Sequence, residues 1–526
     1  METYLRLGLL LIWFVSALSS SLTFVHMWQL EAYRWGGYWR WLKERSGDVY
    51  QKFLWVMPTL FLWLWWGAWV PYAVAGCYLV TLWNARLRKG AKKPFKVTSR
   101  AARLLVTLAL LLALVGWGAS RLWPTPRLFL IALGAGFMLI SLAVPLADLI
   151  NRPLQRAIEG VYLRDAKRRL ASMPSLIVIG VTGSYGKTST KFFLQRLLSA
   201  RYNTLMTPGS YNTPMGVVRT VREQLRATHE VFVCEMGARH VGDIRALCDI
   251  VRPRLGVITA VGPQHLESFR TLENVVAAKF ELADALPDDG VLFANWDSRE
   301  IRGRAVRART VRYGVAGAAE DAETHYTAHD IRADARGLSF RVTASDGTEQ
   351  TFTTALIGRH NVENITAAVA VARHMGISWE ELARLVRGLE PVPHRLQLRP
   401  GPEITFIDDA FNANPEGAAA ALEALAGLDG VRMLVTPGFV ELGERQEACH
   451  EELGRRAAAV CDFVALVGER QTEAVARGLR AAGFAPERFC VAPDLTAALA
   501  AVRAFPAAGR MKYVLLENDL PDQYET

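Results

Sequence analysis

Cysteine is scarce in this 526-residue chain: there are six, and none is spaced as a Cys-x-x-Cys pair or a Cys/His metal site. This scarcity excludes a disulfide framework and is typical of reduced thiols in a cytosolic domain. A small-residue cleavage site is also missing after the first apolar run, which argues against a secretory signal peptide. The apolar runs contain few charged residues, and a transport path through a membrane needs such groups.

The chain has a formal net charge of +10, from 61 basic and 51 acidic residues. Its length exceeds what one hydrophobic core supports and predicts about three domains. The basic excess lies mostly in residues 86–103 and 152–169, each beside an apolar run. We interpret it as a signal for membrane orientation and for attraction to anionic lipid, and we expect no nucleic-acid partner.

Long apolar stretches predict an α-helical transmembrane region over residues 1–150, in which most of the 15 tryptophans lie. The predicted spans are residues 8–28, 53–83, 102–120 and 128–150. The second stretch contains Pro58 and Pro71 and forms either one tilted span or two short ones, so the total is four or five. The positive-inside rule places both basic segments in the cytoplasm.

From Ser175 onward, apolar strand patterns alternate with helical patterns, which predicts α/β domains with mostly parallel sheets and helices on both faces. An amphipathic connector, residues 151–174, precedes a first α/β domain at 175–393 and a second, Rossmann-like domain at 394–526. Residues 310–356 predict an antiparallel extension. The predicted strands are 176–179, 231–234, 255–259 and 291–294 in the first domain, and 404–407, 432–435, 463–467, 489–491 and 513–516 in the second.

Residues 176–190, LIVIGVTGSYGKTST, predict a strand, a glycine loop and a helix start, which is the arrangement that holds nucleotide phosphates. Lys187 can reach the β- and γ-phosphates, and the Thr188 hydroxyl can ligate Mg²⁺. A strict Walker loop has one more glycine, where Val181 stands here. The loop residues predicted to bind the nucleotide are Thr182, Gly183, Ser184, Tyr185, Gly186, Lys187, Thr188 and Ser189.

Two polar residues end the strands that follow this loop. Glu235 ends the predicted strand 231–234 and fits a carboxylate ligand of Mg²⁺, with a helix cap or a solvated glutamate as the alternative. His265 lies at the edge where open α/β sheets bind ligands, so it is either a metal or phosphate contact or a structural histidine.

The pattern around Lys279 predicts a solvent-exposed lysine on a helix. In the second domain, Asp408 and Asp409 follow a strand, and Asn412, Asn414 and Pro415 come next. This group forms an acid/base pair, a metal site, a ribose clamp or a plain Asp/Asn turn.

Seven motifs in this order resemble those of the Mur ligase family, the ATP-dependent amide ligases of peptidoglycan precursor synthesis. The similarity is greatest to the branch that adds D-alanyl-D-alanine to a UDP-linked muramoyl tripeptide. The motifs are T-G-S-Y-G-K-T at 182–188, E-M-G-A at 235–238, G-P-Q-H-L-E at 262–267, A-A-K-F-E at 277–281, G-R-H-N-V-E-N at 358–364, H-R at 394–395 and I-D-D-A-F-N-A-N-P at 407–415. A weaker match is E-L-G at 441–443 with His450.

The resemblance implies that ATP converts a substrate carboxylate into an acyl phosphate, which an amine then attacks. It implies ATP and two Mg²⁺ ions, with metal contacts from Thr188, Glu235 and His265. Lys187 and His265 would act in catalysis, together with a carbamylated Lys279. Asn361 would contact adenine, Arg395 the phosphates, and Asp409 or Asp408 the ribose.

The chain also departs from the family. Apolar stretches stand where the family has a UDP-binding domain, and residues 515–524, LLENDLPDQY, stand in place of the family's late lysine-glycine-serine segment. Residues 435–440 lack the family's usual glycine-aspartate. We therefore expect a lipid-linked or UDP-linked carboxylate substrate, an amino acid or dipeptide amine, and contact with membrane lipid. The ligase domains would lie in the bacterial cytoplasm.

Three alternatives remain at this point. The chemistry could serve another amide product, as in the folylpolyglutamate, cyanophycin and poly-γ-glutamate synthases. The nucleotide domain could instead gate membrane transport, although the spans have few charged residues. A nucleotide sensor without catalysis is the third alternative, and the presence of Lys187, Glu235, His265 and Lys279 argues against it.

Overall fold

The computed structural model describes residues 2–31, 33–44, 70–84, 94–122, 125–317, 324–334, 336–411, 413–440 and 442–518. Most of the predicted span at 53–83, part of the basic segment 86–103, Asn412, Glu441 and Asp519 lie outside these residues. The chain divides into two compact units, of which the first is Met1–Gly160 and the second is Val161–Leu520.

The first unit is helical. Its helices are Glu2–Leu30, Trp35–Glu44, Val70–Asn84, Ser99–Ser120 and Pro126–Met138, and it includes the first part of the helix Ile140–Ala171. Large aromatic side chains are fully buried between them, among them Trp13, Trp28 and Tyr38. The Trp13 indole N–H donates to the Leu133 carbonyl at 2.9 Å, so its polar atom is satisfied inside an apolar core.

Two of the described helices, Arg6–Leu30 and Ser99–Ser120, are long and apolar enough to cross a membrane. The sequence predicts one span at 128–150, but the structure has two helices there. They are broken between Met138 and Ile140 and meet at an angle of 67°. Pro145 lacks the N–H that would bond the Ser141 carbonyl, and the Tyr38 hydroxyl donates to that carbonyl at 2.7 Å instead. Counted as one bent span, this pair gives three candidates among the described residues.

The second unit contains a nine-stranded sheet. Its strands are β1 (Ile177–Thr182), β2 (Thr204–Met206), β3 (Val231–Glu235), β4 (Leu255–Ile258), β5 (Val291–Asn295), β6 (Arg309–Val315), β7 (Tyr326–Asp334), β8 (Gly337–Ala344) and β9 (Glu349–Thr354), in the order β2-β3-β1-β4-β5-β6-β7-β8-β9. Helices Lys187–Leu198 and His360–His374 pack on one face, and helices Pro214–Glu223, Asp243–Val251 and Leu272–Asp284 pack on the other. Short helices span Leu266–Phe269 and Arg299–Arg302, and Trp379–Arg387 packs near β9.

The predicted antiparallel extension is only partly correct. β6 pairs in parallel with both β5 and β7, so it continues the parallel sheet, and the antiparallel pairs are β7 with β8 and β8 with β9. The prediction takes the whole of 310–356 as antiparallel, but the pairing direction depends on the connection between strands and not on the residue pattern.

A second sheet of six strands follows. Its strands are β10 (Gln397–Arg399), β11 (Ile404–Asp409), β12 (Val431–Thr436), β13 (Phe463–Val467), β14 (Phe489–Ala492) and β15 (Lys512–Glu517), in the order β10-β11-β15-β12-β13-β14. All neighbours are parallel except the edge strand β10. The helices of this part are Pro415–Ala426, Gln446–Val460, Glu469–Ala481 and Leu495–Ala504, with 3₁₀ turns at Gly443–Arg445 and Pro486–Arg488. The mixed α/β architecture thus agrees with the sequence prediction.

Candidate active site

The predicted phosphate loop joins β1 to the helix Lys187–Leu198. Gly183 and Gly186 have φ angles of 147° and 78°, values that favour glycine. A Cβ atom on Gly186 would lie 2.3 Å from the Asn364 side-chain oxygen, so the tight packing also requires glycine there. The Lys187 ammonium donates to the carbonyls of Gly183 at 2.7 Å and Ser184 at 2.9 Å, so its side chain lies over the loop.

Desolvation lowers the pKa of Lys187 to about 8, and the nearby Glu235 carboxylate opposes this shift. A lysine with this pKa remains mostly cationic at neutral pH. It can therefore neutralise phosphate charge in this loop.

Hydrogen bonds hold the loop against the segment that follows β4. The Ser184 amide donates to the Ala260 carbonyl at 2.7 Å, and the Ser184 hydroxyl donates to the Gly262 carbonyl at 2.9 Å. The Thr259 hydroxyl bonds the Tyr185 carbonyl. Thr182 ends β1, and its hydroxyl donates to the Met236 carbonyl at 2.9 Å. The loop and the ends of β3 and β4 therefore form one edge.

His265 lies at this edge, at the start of the short helix Leu266–Phe269, with a φ of 53°. Left-handed backbone at a histidine is uncommon, and such strain clusters at functional sites. Thr188 and Ser189 lie in the first turn of the helix Lys187–Leu198.

Glu235 is buried at the end of β3 and makes a hydrogen-bonded ion pair with Lys191 at 2.9 Å. Its other carboxylate oxygen accepts from the Asn212 amide at 3.0 Å. Burial alone would raise the pKa of Glu235, but Lys191 and Lys187 outweigh it, so the pKa is lowered and the group is ionised.

The sequence reasoning missed Lys191. One signal was available, because Lys191 is three residues before Leu194 and seven before Leu198, and this spacing places it on the buried face of the helix.

No group of three or more His, Cys, Asp or Glu side chains among the described residues is arranged to hold a metal ion. Mg²⁺ is commonly bound by one or two carboxylates together with water and substrate phosphates. A Glu235 carboxylate with one protein contact on each oxygen retains lone pairs for such a ligand. The Glu235 carboxylate therefore has the chemistry to bind a phosphate-bound Mg²⁺ ion.

Lys279 is buried on the helix Leu272–Asp284, with 3% of its surface exposed, so the expectation of a solvent-exposed lysine is wrong. Val275, Ala278, Phe280 and Leu282 bury this part of the helix on several sides. Desolvation, reinforced by the Lys187 charge, lowers the pKa of Lys279 well below its usual value. Burial thus disfavours the ammonium form of Lys279 and favours the free amine, which is the nucleophilic form.

The G-R-H-N-V-E-N motif begins the helix His360–His374. The Asn361 amide donates to the Ile357 carbonyl at 2.8 Å, and the Asn364 oxygen accepts from the Thr190 hydroxyl at 3.2 Å. Glu363 accepts from the Asn295 amide at 3.1 Å, and burial raises its pKa to about 7. Asn364 thus fastens this helix to the phosphate-loop helix, a role that the sequence did not suggest.

Asp408 and Asp409 have different surroundings at the end of β11. Asp408 contacts the His394 imidazole at 2.9 Å and the Arg399 guanidinium at 2.7 Å, which assigns it to a local ion cluster. Asp409 accepts from the Leu396 amide at 3.1 Å, and burial raises its pKa to about 6. Glu517 of β15 lies in register beside Asp409. Its carboxyl group is buried, and this burial raises its pKa well above the usual range.

Arg395 connects the two sheets electrostatically. Burial lowers its pKa, and the carboxylates of Asp409, Glu235 and Glu517 act in the opposite direction. Its guanidinium also lies 4.8 Å from the centre of the Phe411 ring. The arrangement thus brings Arg395 of one part and Glu235 of the other into electrostatic range, beside the loop that holds Lys187.

Two family models match the sequence of this unit. The Mur ligase middle domain matches residues 181–372, and the Mur ligase glutamate ligase domain matches residues 394–516.

Curated relatives share the same region. The chain is 34% identical over 282 residues to the UDP-N-acetylmuramoyl-tripeptide--D-alanyl-D-alanine ligase of Bacillus subtilis. The aligned region covers 53% of this chain and 59% of that enzyme. It is 31% identical over 336 residues to the ligase of the same name from Escherichia coli. This aligned region covers 62% of this chain and 73% of that enzyme. The chain thus spans less than two thirds of the first relative and more than two thirds of the second.

Solved structures show the same fold. MurF from Acinetobacter baumannii superposes with a TM-score of 0.61 at 27% identity, over 69% of this chain and 77% of that chain. MurF from Thermotoga maritima in complex with ADP gives a TM-score of 0.60 at 27% identity, over 69% of this chain and 80% of that chain.

Proposed function

The chain belongs to the Mur ligase family, and from this membership we propose that it is an ATP-dependent amide ligase of peptidoglycan precursor synthesis. The observation that supports the proposal best is the position of Arg395, within electrostatic range of Glu235 from the first sheet and of Asp409 from the second. A nucleotide held by the loop at Lys187 would be contacted by side chains of both sheets. Such a shared site is suited to two substrates that must meet.

In the proposed reaction, the substrate carboxylate attacks the γ-phosphorus of ATP, which gives an acyl phosphate and ADP. An amine then attacks the acyl carbon, and the amide forms as phosphate leaves. The Lys187 ammonium would neutralise charge on the transferring phosphoryl group, with Arg395 acting from the second sheet. Thr188 and Glu235 would hold Mg²⁺, which supplies further charge neutralisation when bound, and His265 would help to hold a second ion.

We further propose a carbamate on Lys279, as the family resemblance implies. The burial of Lys279 supports this, because burial favours the unprotonated amine and only that form adds CO₂. The modified side chain would be an anion near Lys187. Labelling with ¹³C-bicarbonate should give a carbamate carbon signal that the Lys279→Ala variant lacks, and a wild-type protein without the signal would contradict the modification.

We propose that the apolar helices Arg6–Leu30 and Ser99–Ser120 anchor the enzyme in the membrane, with its ligase part in the cytoplasm. The relatives' names indicate a UDP-linked muramoyl tripeptide and D-alanyl-D-alanine as substrates. Because apolar helices precede the Mur domains here, we propose that a lipid-linked carboxylate is the preferred acceptor.

The test combines purified full-length protein, ATP, Mg²⁺ and D-alanyl-D-alanine with either the UDP-linked tripeptide or a bacterial membrane extract. Mass spectrometry of the amide products identifies the acceptor. The Lys187→Ala variant should lose turnover and still sediment with membranes. Turnover that persists in Lys187→Ala, or a wild-type protein that forms no amide with either acceptor, would refute the proposal, whereas equal use of the UDP-linked acceptor would refute only the lipid preference.

A further inference from the structure

Two carboxyl groups meet where β11 and β15 end, at one edge of the second sheet. Asp409 and Glu517 are paired in register on these parallel strands, and a hydrogen bond joins their side chains. Glu517 is 1% exposed, and neither of its oxygens accepts a hydrogen bond from a residue that the structure describes. A buried carboxylate without a donor is costly, and two carboxyl groups form a hydrogen bond only if one of them is protonated. The proton therefore lies on Glu517, and Asp409 accepts the hydrogen bond.

Asp409 in turn fixes the backbone beside Arg395. Its carboxylate accepts from the Leu396 amide at 3.1 Å. On the other side, the Asp408 carboxylate contacts the His394 imidazole at 2.9 Å. His394 and Leu396, which flank Arg395, have φ angles of 59° and 44°. Left-handed backbone is strained at such residues and persists only where the surrounding contacts hold it. The two aspartates therefore hold the strained turn that presents Arg395.

The charges around the end of β15 favour this distribution of the proton. The elements packed there carry Asp408 and Asp409 on β11, Arg395 in the segment before β10, and Glu416 and Glu423 on the helix Pro415–Ala426, while the neighbouring β12 ends in a threonine. Burial is the main cause that raises the pKa of Glu517; Asp409 also raises it, and Arg395 lowers it. Burial raises the pKa of Asp409 to about 6, and Arg395 and the hydrogen bond from Glu517 oppose this rise. The pair thus carries one negative charge at neutral pH.

We propose that Glu517 is a positioning residue of the nucleotide site, which donates a hydrogen bond to Asp409 and so keeps Asp409 ionised and in place beside Arg395. The inference rests on the proposed function, in which Arg395 acts on the transferring phosphoryl group. An ionised Asp409 is the stronger acceptor for the Leu396 amide and supplies the counter-charge of Arg395. Without the hydrogen bond from Glu517, Asp409 takes up a proton at higher pH, and the turn that presents Arg395 is held less firmly.

The first measurement needs no nucleotide. The infrared C=O absorption of a protonated carboxyl group is distinct from that of a carboxylate, so it reports the proton directly. At pH 7 the full chain in detergent micelles should show a protonated-carboxyl band that is missing in Glu517→Gln. Other carboxyl groups that are partly protonated at this pH, those of Glu363 and Glu416, are present in both proteins and cancel in the difference spectrum. A difference spectrum without the band would overturn the proposal.

The second measurement is calorimetric titration of the same protein with a non-hydrolysable ATP analogue and Mg²⁺ between pH 5 and 8. The wild-type affinity should fall toward acid pH as Asp409 takes up its proton near pH 6. In Glu517→Leu, which removes the donor, the midpoint of this fall should move up by about one pH unit. Glu517→Gln should keep the wild-type midpoint, because its amide N–H can donate to Asp409. Glu487→Gln, which removes an exposed carboxyl group of the turn Pro486–Arg488, is the matched control and should also keep it.

A merely structural role of Glu517 would lower the affinity at every pH and leave the midpoint unchanged. The proposal is therefore overturned if Glu517→Leu keeps the wild-type midpoint, or if Glu517→Gln shifts it as far as Glu517→Leu does. Glu517→Ala takes the place of the leucine variant if a thermal scan shows that the latter is unfolded. A wild-type protein that binds no analogue at any pH would overturn the proposed function instead, and the infrared band would still decide whether Glu517 holds the proton.

Discussion

The buried pair of Lys191 and Glu235 has a stability consequence. Both side chains are almost fully excluded from water, so removal of one leaves an uncompensated charge in the interior. Lys191→Met should therefore destabilise the second unit by about 3–5 kcal/mol. Differential scanning calorimetry of the full chain should show this as a lower transition temperature, since a loss of this size exceeds that of most single substitutions.

Two comparisons make this prediction specific. Lys191→Met/Glu235→Gln removes both charges and should be less destabilised than Lys191→Met. Arg219→Met breaks a pair with Glu223 in which both side chains are more than half exposed, and it should change stability by less than about 1 kcal/mol. Equal losses in Lys191→Met and Arg219→Met would contradict the assignment.

Glu363 predicts a pH dependence of stability. Burial raises its pKa from 4.5 to about 7, so the folded state holds this proton to higher pH than the unfolded chain does. The unfolded state then binds fewer protons between about pH 4.5 and 7, and stability falls as pH rises through this window. The loss is on the order of 3 kcal/mol.

Glu363→Gln should remove this part of the pH dependence, because the amide keeps an acceptor for Asn295 without a titrating group. Thermal scans between pH 4.5 and 7.5 measure it. The exposed Glu473 on the helix Glu469–Ala481 provides a matched control, Glu473→Gln, which should keep the wild-type slope. A Glu363→Gln slope that equals the wild-type slope would show that this carboxyl does not titrate in the window.

Some residues of the candidate site were predictable from the sequence, and others were not. Lys187 and Glu235 follow from local patterns, because a glycine loop and a strand ending in a carboxylate are visible in a few consecutive residues. Lys191, Glu363 and Glu517 act through partners far along the chain, such as Glu235 for Lys191 and Asp409 for Glu517. The environment of Lys279 was also misjudged, since burial depends on packing between elements that a single helix pattern does not report.

Among the elements, the helix Asp243–Val251 depends on a neighbour for its N-terminal cap. The Glu281 carboxylate accepts from the amides of Gly242 at 2.5 Å and Arg245 at 2.8 Å. These are donors that the helix itself leaves unpaired, and the negative charge also suits the helix dipole.

Glu281→Ala should therefore cost about 1–2 kcal/mol and increase hydrogen exchange at the start of this helix. Glu281→Gln retains one acceptor oxygen and should be affected less. Exchange at the start of the helix Trp379–Arg387, which has its own Ser378 cap, should stay unchanged in both variants. Unchanged protection of residues 243–246 in Glu281→Ala would rule out the cap.

Element prediction succeeded where an apolar run was long enough to be distinct. The central strands β1, β3, β4 and β5 are such runs, buried along most of their length. The strands β2 and β10 were missed, because each has three residues at a sheet edge and shows no periodicity over so short a length.

At the scale of the molecule, the second unit has its own cores on both faces of the first sheet and around the second sheet. A fragment of residues 161–526 should therefore fold without the apolar helices, remain in solution without detergent and bind ATP. Circular dichroism and equilibrium dialysis measure these properties, with the Lys187→Ala fragment as the control for binding. A fragment that aggregates, or binds no more ATP than its Lys187→Ala control, would show that the units are interdependent.

The order of a helical region followed by α/β domains was predictable, because the composition changes abruptly near residue 150 from apolar runs to alternating α/β patterns. The bend between Met138 and Ile140 was not, because a hydropathy pattern registers apolar length and not helix continuity. The position of Glu517 beside Asp409 was not predictable either, because the pairing of β11 with β15 joins residues far apart in the chain.

The uneven distribution of tryptophan makes the second unit suited to fluorescence spectroscopy. Only Trp296 and Trp379 of the 15 indoles follow residue 123. Trp296 comes directly after β5, and its ring lies 4.5 Å from the Arg312 guanidinium. The hydroxyl of Ser298, two residues further on, bonds the backbone of Val261. Trp379 packs instead against Tyr326 and Phe352. The emission of residues 161–526 therefore comes from two indoles in different surroundings, and the indole after β5 lies two residues from Ser298, which bonds the segment that follows β4.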